Sequence, residues 1–454
     1  MVPLIIPSET QVREFDAKLL LACCAAERGA RCIVGSRERI HATIASLPRG
    51  IYIAKDFRRS SRKMFRILSR LGHRVCGWDE ECLLYFSKQQ YFESRIDAET
   101  LRSAALVFAW GPDSAAMLHE AASPEPLRVT TTGNPRIDML RPELRDFFLP
   151  EVAQIRESVG PYILVNTHFG AINHFVPALG SRTLNSLTPA SERDRGFKEE
   201  LKEHLFAIFE HFQSMIRGLA TAFPDRTILV RPHPAENRRP WDALATELTN
   251  VRVECKGNVV PWILAADAMV HNSCTTSIEA FVLDRPAVAF LPLLSERFDL
   301  SLANSLGQAT YGIDQLVETL RTVLSRPEPP PRDAKQVRFL SHYLEALDGE
   351  LASDRLARAL VQEASGDQAL PDSGFKDRFS GQVQARRRAA AKWIKSFAPS
   401  SKNGAAYQRQ RFPHLPVTEV QRRIAILGDQ LGRFSGVTAR CLSRDVFEIN
   451  HDGT

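Results

Sequence analysis

Short apolar runs that alternate with amphipathic stretches are the feature that most restricts how this chain can fold. In the first part of the chain these runs are Pro3–Ile6, Arg31–Val34, Ile51–Ala54, Arg74–Gly77, Ala105–Ala109 and Arg128–Thr131. Helical patterns lie between them, for example Val12–Arg28, Ser60–Leu71 and Ser114–Ala121. Strands buried on both faces have such continuous apolar sequences, and their alternation with helices indicates parallel pairing. The first part is therefore predicted to be a doubly wound α/β domain.

The same alternation starts again in the middle of the chain. The predicted strands there are Tyr162–Asn166, Thr227–Val230, Val251–Glu254, Ala268–Val270 and Ala287–Phe290. The helical patterns between them are Phe197–Phe223, Val260–Ala266 and Thr276–Leu283. A polar, irregular segment at Gly170–Arg195 is predicted to be a long loop, which inside a compact domain is usually functional or mobile. These runs predict a second doubly wound domain.

The chain of 454 residues is too long for a single hydrophobic core. A proline-rich run, Arg326–Arg332, marks the predicted end of the second domain, and helical patterns follow at Asp333–Leu347, Leu351–Ala364 and Val417–Gly432. We therefore expect an α/β protein with two doubly wound, Rossmann-like domains that face a cleft, residues 1–155 and 156–328. A helical and basic C-terminal extension, residues 329–454, is expected to follow.

Composition and local motifs exclude several classes of protein. The apolar content of 44% and the charged content of 25% are ordinary for a globular enzyme. No apolar run approaches the roughly 18 residues of a membrane span, and Met1–Glu9 lacks the basic leader of a signal peptide, so we expect a cytoplasmic protein. No Cys-x-x-Cys pair, no Asp-x-Asp motif after a strand and no histidine pair at helical spacing occurs, so we expect neither a metal nor a cofactor.

An apolar predicted strand runs directly into the motif Arg231-Pro232-His233-Pro234. The two prolines stop the strand and restrict the backbone on both sides of His233. Because ligands of parallel sheets bind beyond the carboxyl ends of the strands, His233 is placed where it can donate to a phosphate oxygen. The alternative is a strand-end histidine bonded to a loop carbonyl, and the pair of flanking prolines favours the functional interpretation.

A second predicted strand delivers a run of hydroxyl residues to the start of a helix. The run comprises Ser273, Thr275, Thr276 and Ser277, and Glu279 follows in the first turn. The backbone N–H groups and dipole of a helix N-terminus favour a phosphate, and Glu279 can accept hydrogen bonds from ribose hydroxyls. An ordinary N-cap needs one hydroxyl, with Glu279 serving the helix dipole. Four hydroxyls exceed that requirement and favour phosphate binding.

Polar residues also follow three other predicted strands. Asp79, Glu80 and Glu81 form a cluster of carboxylates, which raise one another's pKa as a general base requires, although a solvated acidic turn would have the same sequence. Two further groups are candidates for a ligand-binding cleft. They are Gly133, Asn134 and Arg136 after the last strand of the first domain, and Asn166, Thr167 and His168 after the first strand of the second.

The two Rossmann-like halves, of which the second carries the stronger phosphate signal, resemble the glycosyltransferases of GT-B architecture. Arg231–Pro234 looks like the HP motif of bacterial sialyltransferases and polysialyltransferases, and Ser273–Ser277 looks like their serine/threonine motif. In those enzymes the two motifs bind the CMP part of a CMP-activated acidic ulosonic sugar. Asp79–Glu81 resembles their acid-acid-glycine motif, which carries the catalytic base, with Cys82 in place of the glycine.

The order of the sequence blocks is similar to that of bacterial surface carbohydrate biosynthesis proteins. The blocks are Ile6-Pro7, Asp79–Glu81, Thr132–Asp138, Val165–His168, Arg231–Pro234, Ser273–Ser277 and Arg411–Pro416. This resemblance covers most of the chain and implies a role in capsule or lipopolysaccharide assembly. It does not identify the donor or the acceptor.

Together these resemblances imply a metal-independent glycosyltransferase that moves a sugar from a CMP-linked donor to a glycan or lipid-linked acceptor. The first domain is then the acceptor domain and the second the donor domain. The implied catalytic residues are Asp79, Glu80, Glu81 and His233. The implied donor-binding residues are Arg231, His233, Pro234, Ser273, Thr275, Thr276, Ser277 and Glu279.

Three alternatives remain open from the same motifs. CDP-glycerol glycerophosphotransferases share the Arg-Pro-His-Pro motif and the hydroxyl run, and they transfer a polyol phosphate. Thr132-Gly-Asn-Pro resembles the non-hydrolysing UDP-N-acetylglucosamine 2-epimerases. The third alternative is a membrane-associated assembly factor that has kept the fold without catalysis.

The net charge of +6 is concentrated near the C-terminus. The basic residues of that segment are Arg386, Arg387, Arg388, Lys392 and Lys395. Because Trp393, Ile394 and Phe397 can act as interfacial anchors beside them, the segment is predicted to touch an anionic membrane, at the inner face of the cytoplasmic membrane. A solvated basic helix is the alternative, and no nucleic acid partner is expected.

Overall fold

The computed structural model of the chain describes residues 1–188, 195–326, 332–366, 370–398 and 401–452. These residues form two compact units. The first unit comprises Met1–Glu80, Arg95–Phe147 and Ser341–Thr454, and the second comprises Glu81–Ser94 and Phe148–Leu340. The chain thus enters the second unit at Glu81, within the acidic cluster, and the greater part of the predicted C-terminal extension belongs to the first unit.

The elements match the predicted alternation closely. The strands are β1 (Leu4–Ser8), β2 (Cys32–Ser36), β3 (Ile51–Ala54), β4 (Arg74–Gly77), β5 (Leu106–Ala109), β6 (Val129–Thr131), β7 (Tyr162–Asn166), β8 (Thr227–Arg231), β9 (Val251–Val253), β10 (Ala268–His271), β11 (Ala287–Phe290), β12 (Gln308–Thr310), β13 (Val437–Ser443) and β14 (Val446–His451). The helices of the first part are α1 (Asp16–Ala26), α2 (Arg37–Thr43), α3 (Arg62–Leu71), α4 (Lys88–Arg95), α5 (Ala98–Arg102), α6 (Pro112–Ala122), α7 (Pro135–Asp138) and α8 (Leu149–Val159). The later helices are α9 (Pro177–Leu187), α10 (Arg195–Ala222), α11 (Arg239–Glu247), α12 (Val259–Ala265), α13 (Thr276–Val282), α14 (Ser301–Asn304), α15 (Ile313–Leu324), α16 (Ala334–Ser341), α17 (Ala352–Ser365), α18 (Phe375–Ser396), α19 (Ala405–Arg411) and α20 (Val417–Leu431).

The sheet of the first unit has the strand order β13-β14-β2-β1-β3-β4-β5-β6. Its six strands from β2 to β6 pair in parallel, as predicted. The C-terminal hairpin β13–β14 adds two antiparallel strands beside β2, with Phe447 opposite Val34. This hairpin was not predicted from the sequence, where the last predicted element is a helix, because the exposed polar residues of β13 interrupt the apolar pattern.

Helix α1 explains why the C-terminal segments join the first unit. Its residues from Ala17 to Ala26 are all buried, although a helix at the surface of a domain is usually apolar on one stripe only. One side of α1 lies against the sheet, and α17 and α20 pack against it from the C-terminal part of the chain. The predicted separate extension at residues 329–454 therefore differs from the structure, where these helices bury apolar surface of the first unit.

The sheet of the second unit is entirely parallel, with the order β12-β11-β10-β7-β8-β9. The long helix α10 covers one face and contributes Phe209 and Phe212 to an aromatic cluster with Phe169, Trp241 and Phe290. The fold is thus α/β with two doubly wound, Rossmann-like sheets, as the sequence predicts.

Two of the sequence predictions concern connecting segments, and a third concerns membrane-spanning helices. The predicted loop at Gly170–Arg195 contains helix α9, which begins at Pro177, a residue favoured in the first helical turn. Residues 189–194 of that segment, and residues 327–331 of the proline-rich run, lie outside the described part of the chain. No helix of the described ranges is both long enough and apolar enough to cross a membrane.

Candidate active site

The second sheet has a topological switch point between β7 and β10. From β7 the chain proceeds to β8 and β9 on one side, and β10, β11 and β12 fill the other side. In open parallel sheets the two loops that leave such a point diverge and open a crevice for a ligand. The residues at the carboxyl ends of these strands are Asn166, Thr167, His168, His271, Asn272 and Ser273.

His233 lies in a turn that a buried carboxylate holds together. Glu236 accepts hydrogen bonds from the His233 backbone N–H at 3.0 Å and from the Thr167 hydroxyl at 2.9 Å. The Ala235 N–H donates to His233 Nδ1 at 3.1 Å, so the neutral ring carries its proton on Nε2. The His233 side chain is exposed. That its Nε2–H donates to a phosphate oxygen stays a prediction.

Glu236 has an environment that disfavours its charged form. Burial raises the pKa of Glu236 to about 7, although hydrogen bonds from Thr167, His233 and Trp241 oppose that rise. Because Thr167 follows β7 and His233 follows β8, the carboxyl group joins the ends of two neighbouring strands. Its protonation therefore bears directly on the shape of the turn that holds His233.

Three histidines stand at the ends of the adjacent strands β10, β7 and β8. They are His271, His168 and His233, in that spatial order. Burial lowers the pKa of His271 to about 3 and that of His168 to about 4, with smaller contributions from the neighbouring histidine in each case. His271 is fully buried, and neither of its ring nitrogens has a hydrogen-bond partner among the described residues. With these lowered pKa values, both rings are neutral near pH 7 and can act as polar contacts without adding charge.

The hydroxyl run begins in an unusual backbone conformation. Ser273 has a φ of 47°, in the left-handed region that non-glycine residues rarely occupy. Asn304 stabilises it with two hydrogen bonds, in which Oδ1 accepts from the Ser273 N–H at 2.8 Å and Nδ2 donates to Ser273 Oγ at 3.0 Å. The Ser273 hydroxyl is thus occupied in shaping the loop.

The other members of the run divide into two groups. Ser277 is fully buried and donates to the Cys274 carbonyl at 2.8 Å, so its hydroxyl is also structural. Thr275 and Thr276 are partly exposed at the start of α13, and Glu279 is buried in the first turn of that helix. The Thr276 hydroxyl donates to Cys274 Sγ at 3.1 Å. Thr275 is therefore the partly exposed member of the run whose hydroxyl makes no hydrogen bond within the described residues.

Arg231 makes different contacts from those the sequence suggests. Its Nη2 donates to the carbonyls of Lys256 and Gly257 at 3.0 and 2.8 Å, and the guanidinium lies 5.4 Å from the centre of the Trp262 ring. Burial lowers the pKa of Arg231 to about 10. The Arg231 side chain thus ties the end of β8 to the loop after β9. Pro234, the last residue of the motif, is exposed.

Cations balance the first two members of the acidic cluster. Asp79 is buried and accepts from Arg95 Nε at 2.9 Å, and Lys18 Nζ lies 3.1 Å from Glu80 Oε1. Burial lowers the pKa of Lys18, but the Glu14 and Glu80 carboxylates outweigh this effect and leave it raised. Glu81 is exposed. The expected repulsion between the acids is therefore opposed by Arg95 and Lys18, and Glu81 is the member of the cluster that faces solvent.

The segment from Gly133 to Asp138 has a structural role in the first unit. A Cβ atom at Gly133 would lie 2.6 Å from the Glu345 carbonyl oxygen, and its φ of 82° also favours glycine. Asn134 accepts from the Arg136 N–H at 2.9 Å and caps α7. Asp138 accepts from the N–H groups of Ala352 and Ser353 at 2.9 and 2.7 Å, at the start of α17. Arg136 lies over the Trp110 ring, with 5.8 Å to its centre.

The basic segment forms most of the C-terminal half of α18. Arg386, Arg387 and Lys395 are exposed, whereas Arg388 and Lys392 are partly buried. Burial, together with the charges of Arg388 and Arg37, lowers the pKa of Lys392 to about 8. The five cations therefore do not share a single face of the helix.

Sequence reasoning missed several residues that shape these sites. Glu236 closes the Pro-His-Pro turn five residues after Arg231, and a carboxylate at that spacing could have indicated a tethered loop. His271 ends an apolar strand, where a histidine is itself an unusual signal. Asn304 and Lys18 are distant in sequence from the groups they contact, so no local pattern indicates them.

The sequence matches no protein-family model and no curated protein. Among solved structures, the chain is similar to the UDP-GlcNAc 2-epimerase of Methanocaldococcus jannaschii in complex with UDP-GlcNAc and UDP, with 15% identity, 79% of this chain and 99% of that chain covered, and a TM-score of 0.49. It is also similar to the UDP-GlcNAc 2-epimerase of Neisseria meningitidis, with 13% identity, coverages of 80% and 100%, and a TM-score of 0.48. A variant of the wall teichoic acid polymerase TagF shares 10% identity over 80% of this chain and 88% of that chain, with a TM-score of 0.47. These similarities do not identify an activity.

Proposed function

We propose that this protein is a glycosyltransferase that takes a sugar from a nucleotide-activated donor bound by the second unit. The observation that carries the proposal is the arrangement around the switch point of the second sheet. His233, with its donor Nε2–H, and the partly exposed Thr275 and Thr276 are on loops at this one sheet edge. The ring of His271, which has no hydrogen-bond partner among the described residues, lies at the end of β10 on the same edge. Such an edge is where a parallel sheet binds a phosphorylated ligand.

The chemistry follows from the charge that develops on the leaving group. When the acceptor hydroxyl oxygen attacks the anomeric carbon, the bond from that carbon to the phosphate oxygen breaks and negative charge grows on the phosphate. His233 Nε2–H and the Thr275 hydroxyl stabilise that charge as donors. The Thr276 hydroxyl joins them by turning from Cys274 Sγ to the phosphate. Neutral His168 and His271 provide polar contacts without repelling a cationic sugar centre.

The acceptor proton goes to a carboxylate of the acidic cluster. Asp79 is held in its ion pair with Arg95 and Glu80 lies beside Lys18, whereas Glu81 faces solvent. We therefore assign the general base to Glu80 or Glu81 and favour Glu81 on exposure. The role itself rests on the resemblance of Asp79–Glu81 to the acid-acid-glycine motif.

The finer identity of the substrates rests on the sequence motifs. The Arg-Pro-His-Pro motif with the hydroxyl run supports a CMP-linked donor, an acidic ulosonic sugar in the enzymes that these motifs resemble. The order of the sequence blocks supports a glycan or lipid-linked acceptor in capsule or lipopolysaccharide assembly.

We also propose that α18 brings the protein to an anionic membrane through its exposed cations Arg386, Arg387 and Lys395, with Arg388 and Lys392 adding to the local charge.

A screen for nucleotide release tests the proposed function. The protein is incubated with CMP-, CDP- and UDP-activated sugars and with CDP-glycerol, with and without an acceptor glycan extract. We expect free CMP to be released from a CMP-linked sugar. Release of CMP from CDP-glycerol would instead indicate polyol phosphate transfer, and conversion of UDP-N-acetylglucosamine to its 2-epimer would indicate an epimerase. Turnover of none of these donors would favour a non-catalytic assembly factor.

A further inference from the structure

The first sheet has its own topological switch point, between β1 and β3. From β1 the chain proceeds to β2 on one side, and β3, β4, β5 and β6 fill the other side. The loops that leave such a point diverge at the carboxyl ends of the strands and open a crevice for a ligand. Glu9 directly follows β1 and Lys55 directly follows β3, and the two side chains form an ion pair across this point. The crevice belongs to the first unit, and the proposed function does not yet use it.

Three cations surround the Glu9 carboxylate. Lys55 and Arg411 form ion pairs with it, and Arg37 Nη1 lies 3.3 Å from Glu9 Oε2. Arg37 directly follows β2, and Arg411 is the last residue of α19. All four side chains are partly exposed to solvent. One carboxylate thus faces three positive charges at the carboxyl edge of the sheet, and the excess charge is open to an anionic ligand.

The neighbouring charges do not cancel this excess. Asp56 stands next to Lys55, and its carboxylate already accepts a hydrogen bond from the Ser61 hydroxyl. On the other hand, α18 brings further positive charge to the same region. Burial lowers the pKa of Arg388, and the charge of Arg37 adds to this effect, which shows that the two guanidinium groups are close together.

Two buried polar atoms beside the crevice have no hydrogen-bond partner among the described residues. They are the Ser8 hydroxyl, at the end of β1, and Arg37 Nε. Ser8 is 0% exposed, and buried polar groups of folded proteins nearly always have a partner. The strand ends at this crevice therefore keep hydrogen-bonding capacity that the described part of the protein does not use, and oxygen atoms of a bound ligand can satisfy it.

The loop after β1 does not suit a nucleotide. Dinucleotide-binding folds have glycines in this loop, because the backbone must approach the pyrophosphate closely. No glycine occurs from Glu9 to Arg28, and the Glu9 carboxylate would repel a bare diphosphate. A ligand at this crevice is therefore held by side chains. The cations suit an anionic group, whereas Glu9 suits hydroxyl donors, and a sugar that carries a phosphate or a carboxylate offers both.

The crevice adjoins the acidic cluster. The Glu80 backbone N–H donates to the Lys55 carbonyl at 3.1 Å. The Glu9 backbone N–H donates to Glu14 Oε2 at 2.8 Å. Lys18 Nζ lies 2.9 Å from the same Glu14 oxygen and 3.1 Å from Glu80 Oε1. Both sides of the crevice are thus connected to Glu80 within the first unit.

We propose that the crevice between β1 and β3 binds an anionic group of the acceptor, the phosphate or carboxylate of a sugar, through Arg37, Lys55 and Arg411. The bound anion shares these three cations with Glu9, which sets their positions. A neighbouring hydroxyl of the same sugar then lies on the side of the acidic cluster, to which Glu80 connects the crevice. The inference rests on the proposed glycosyl transfer and adds a charged acceptor to it.

Sugar binding by the full chain tests the crevice. The probes are glucose 6-phosphate, glucuronate and glucose, which differ in the anionic group, together with inorganic phosphate. Isothermal titration calorimetry measures their affinities. The first variant, Lys55→Gln with Arg411→Gln, removes two of the three cations. The second variant, Glu9→Gln, removes the carboxylate that competes with the ligand for them.

Two control variants make the same charge changes elsewhere in the first unit. Arg66→Gln with Arg102→Gln removes two exposed cations, each of which pairs with a carboxylate. Glu99→Gln removes a carboxylate that pairs with two arginines. Circular dichroism verifies that all four variants are folded.

The wild-type protein should bind one of the acidic sugars roughly tenfold or more tightly than glucose, on the scale of a hydrogen bond to a charged group. The cation variant should lose that preference. Glu9→Gln should bind the acidic sugar more tightly than the wild-type protein, because no carboxylate then competes for the cations. The control variants should resemble the wild-type protein. Preference for glucose 6-phosphate or for glucuronate shows whether the anionic group is a phosphate or a carboxylate.

Equal affinity of the wild-type protein for glucose and for both acidic sugars would overturn the proposal. So would a preference for the acidic sugar that persists in the cation variant. Weaker binding by Glu9→Gln as well as by the cation variant would indicate a structural role for the ion pairs and would also contradict it. Inorganic phosphate that binds as tightly as the preferred sugar would indicate a site for a free ion and not for an acceptor.

CMP release from CMP-linked sugars by the wild-type protein is measured in parallel. Release of CMP without any preference for an acidic sugar would overturn the charged acceptor and leave the glycosyltransferase proposal standing. Acidic-sugar binding that depends on Lys55 and Arg411, without turnover of any nucleotide-linked donor, would instead contradict the proposed function and leave the crevice as a site for an acidic sugar.

Discussion

Glu236 is the residue on which the geometry around His233 depends most directly. Its buried carboxyl group receives hydrogen bonds from the ends of β7 and β8, and burial raises its pKa to about 7 from an ordinary value of 4.5. Because the folded state holds the proton more tightly than the unfolded state, the stability from this group is complete below about pH 4.5. That stability is lost as the pH rises through about 7.

Glu236→Gln keeps the shape of the protonated acid and removes its titration. Between about pH 5 and about pH 8, the free energy of unfolding of the wild-type protein should fall by roughly 2 kcal/mol relative to that of the variant. Urea unfolding of both proteins at the two pH values measures this difference. If the two proteins change in parallel, Glu236 does not have a raised pKa in the folded state.

The proposed function divides the acidic cluster into a structural carboxylate, Asp79, and a catalytic one, Glu80 or Glu81. Asp79→Asn should destabilise the first unit by about 3 kcal/mol, because it removes the carboxylate from a buried ion pair with Arg95. Glu81→Gln, or Glu80→Gln if Glu80 is the base, should reduce transfer by roughly 10²-fold without loss of nucleotide binding. Steady-state kinetics with a binding assay on the three variants measures both effects. Near-normal transfer by all three would place the base elsewhere, with His168 as the next candidate.

Among the elements, the parallel strands were the most predictable. Continuous apolar runs such as Ile51–Ala54 and Tyr162–Asn166 have the observed bounds, because strands buried on both faces leave an unambiguous pattern. The edge strands β12 and β13 and helix α9 were missed, since partly exposed elements carry polar residues that hide their period. Side-chain partners such as Asn304 were not predictable, because 31 residues separate Asn304 from Ser273.

The loop from β10 to α13 depends on that distant contact. Asn304→Ala removes both hydrogen bonds that stabilise Ser273 at its φ of 47°. The loop should then leave this conformation, and the KM for the donor should rise by roughly tenfold with a smaller change in kcat, as for a lost binding interaction. Asn304→Asp, which keeps the acceptor for the Ser273 N–H, should lose less. An unchanged KM in the alanine variant would show that the loop does not contact the donor.

At the scale of the whole molecule, the C-terminal third is the part that the sequence described least well. The sequence predicts a separate extension there, because the helices are amphipathic and polar residues lie between them. In the structure, α17 and α20 bury α1, and β14 pairs with β2, so these residues complete the first unit. Only the partners of an amphipathic helix show whether it is an appendage or part of a core, and those partners are far away in sequence.

The central claim is that the second unit binds a CMP-linked sugar and stabilises the departing phosphate through His233, without a metal. The most direct test measures CMP release from CMP-linked sugars in the presence of EDTA, for the wild-type protein and for His233→Ala. His211→Ala is the matched control, because His211 is an exposed histidine of α10. The account predicts full wild-type and control rates in EDTA, and a rate lower by roughly 10²-fold in folded His233→Ala. Equal rates in the two histidine variants, or wild-type activity that EDTA abolishes and Mg²⁺ restores, would contradict it.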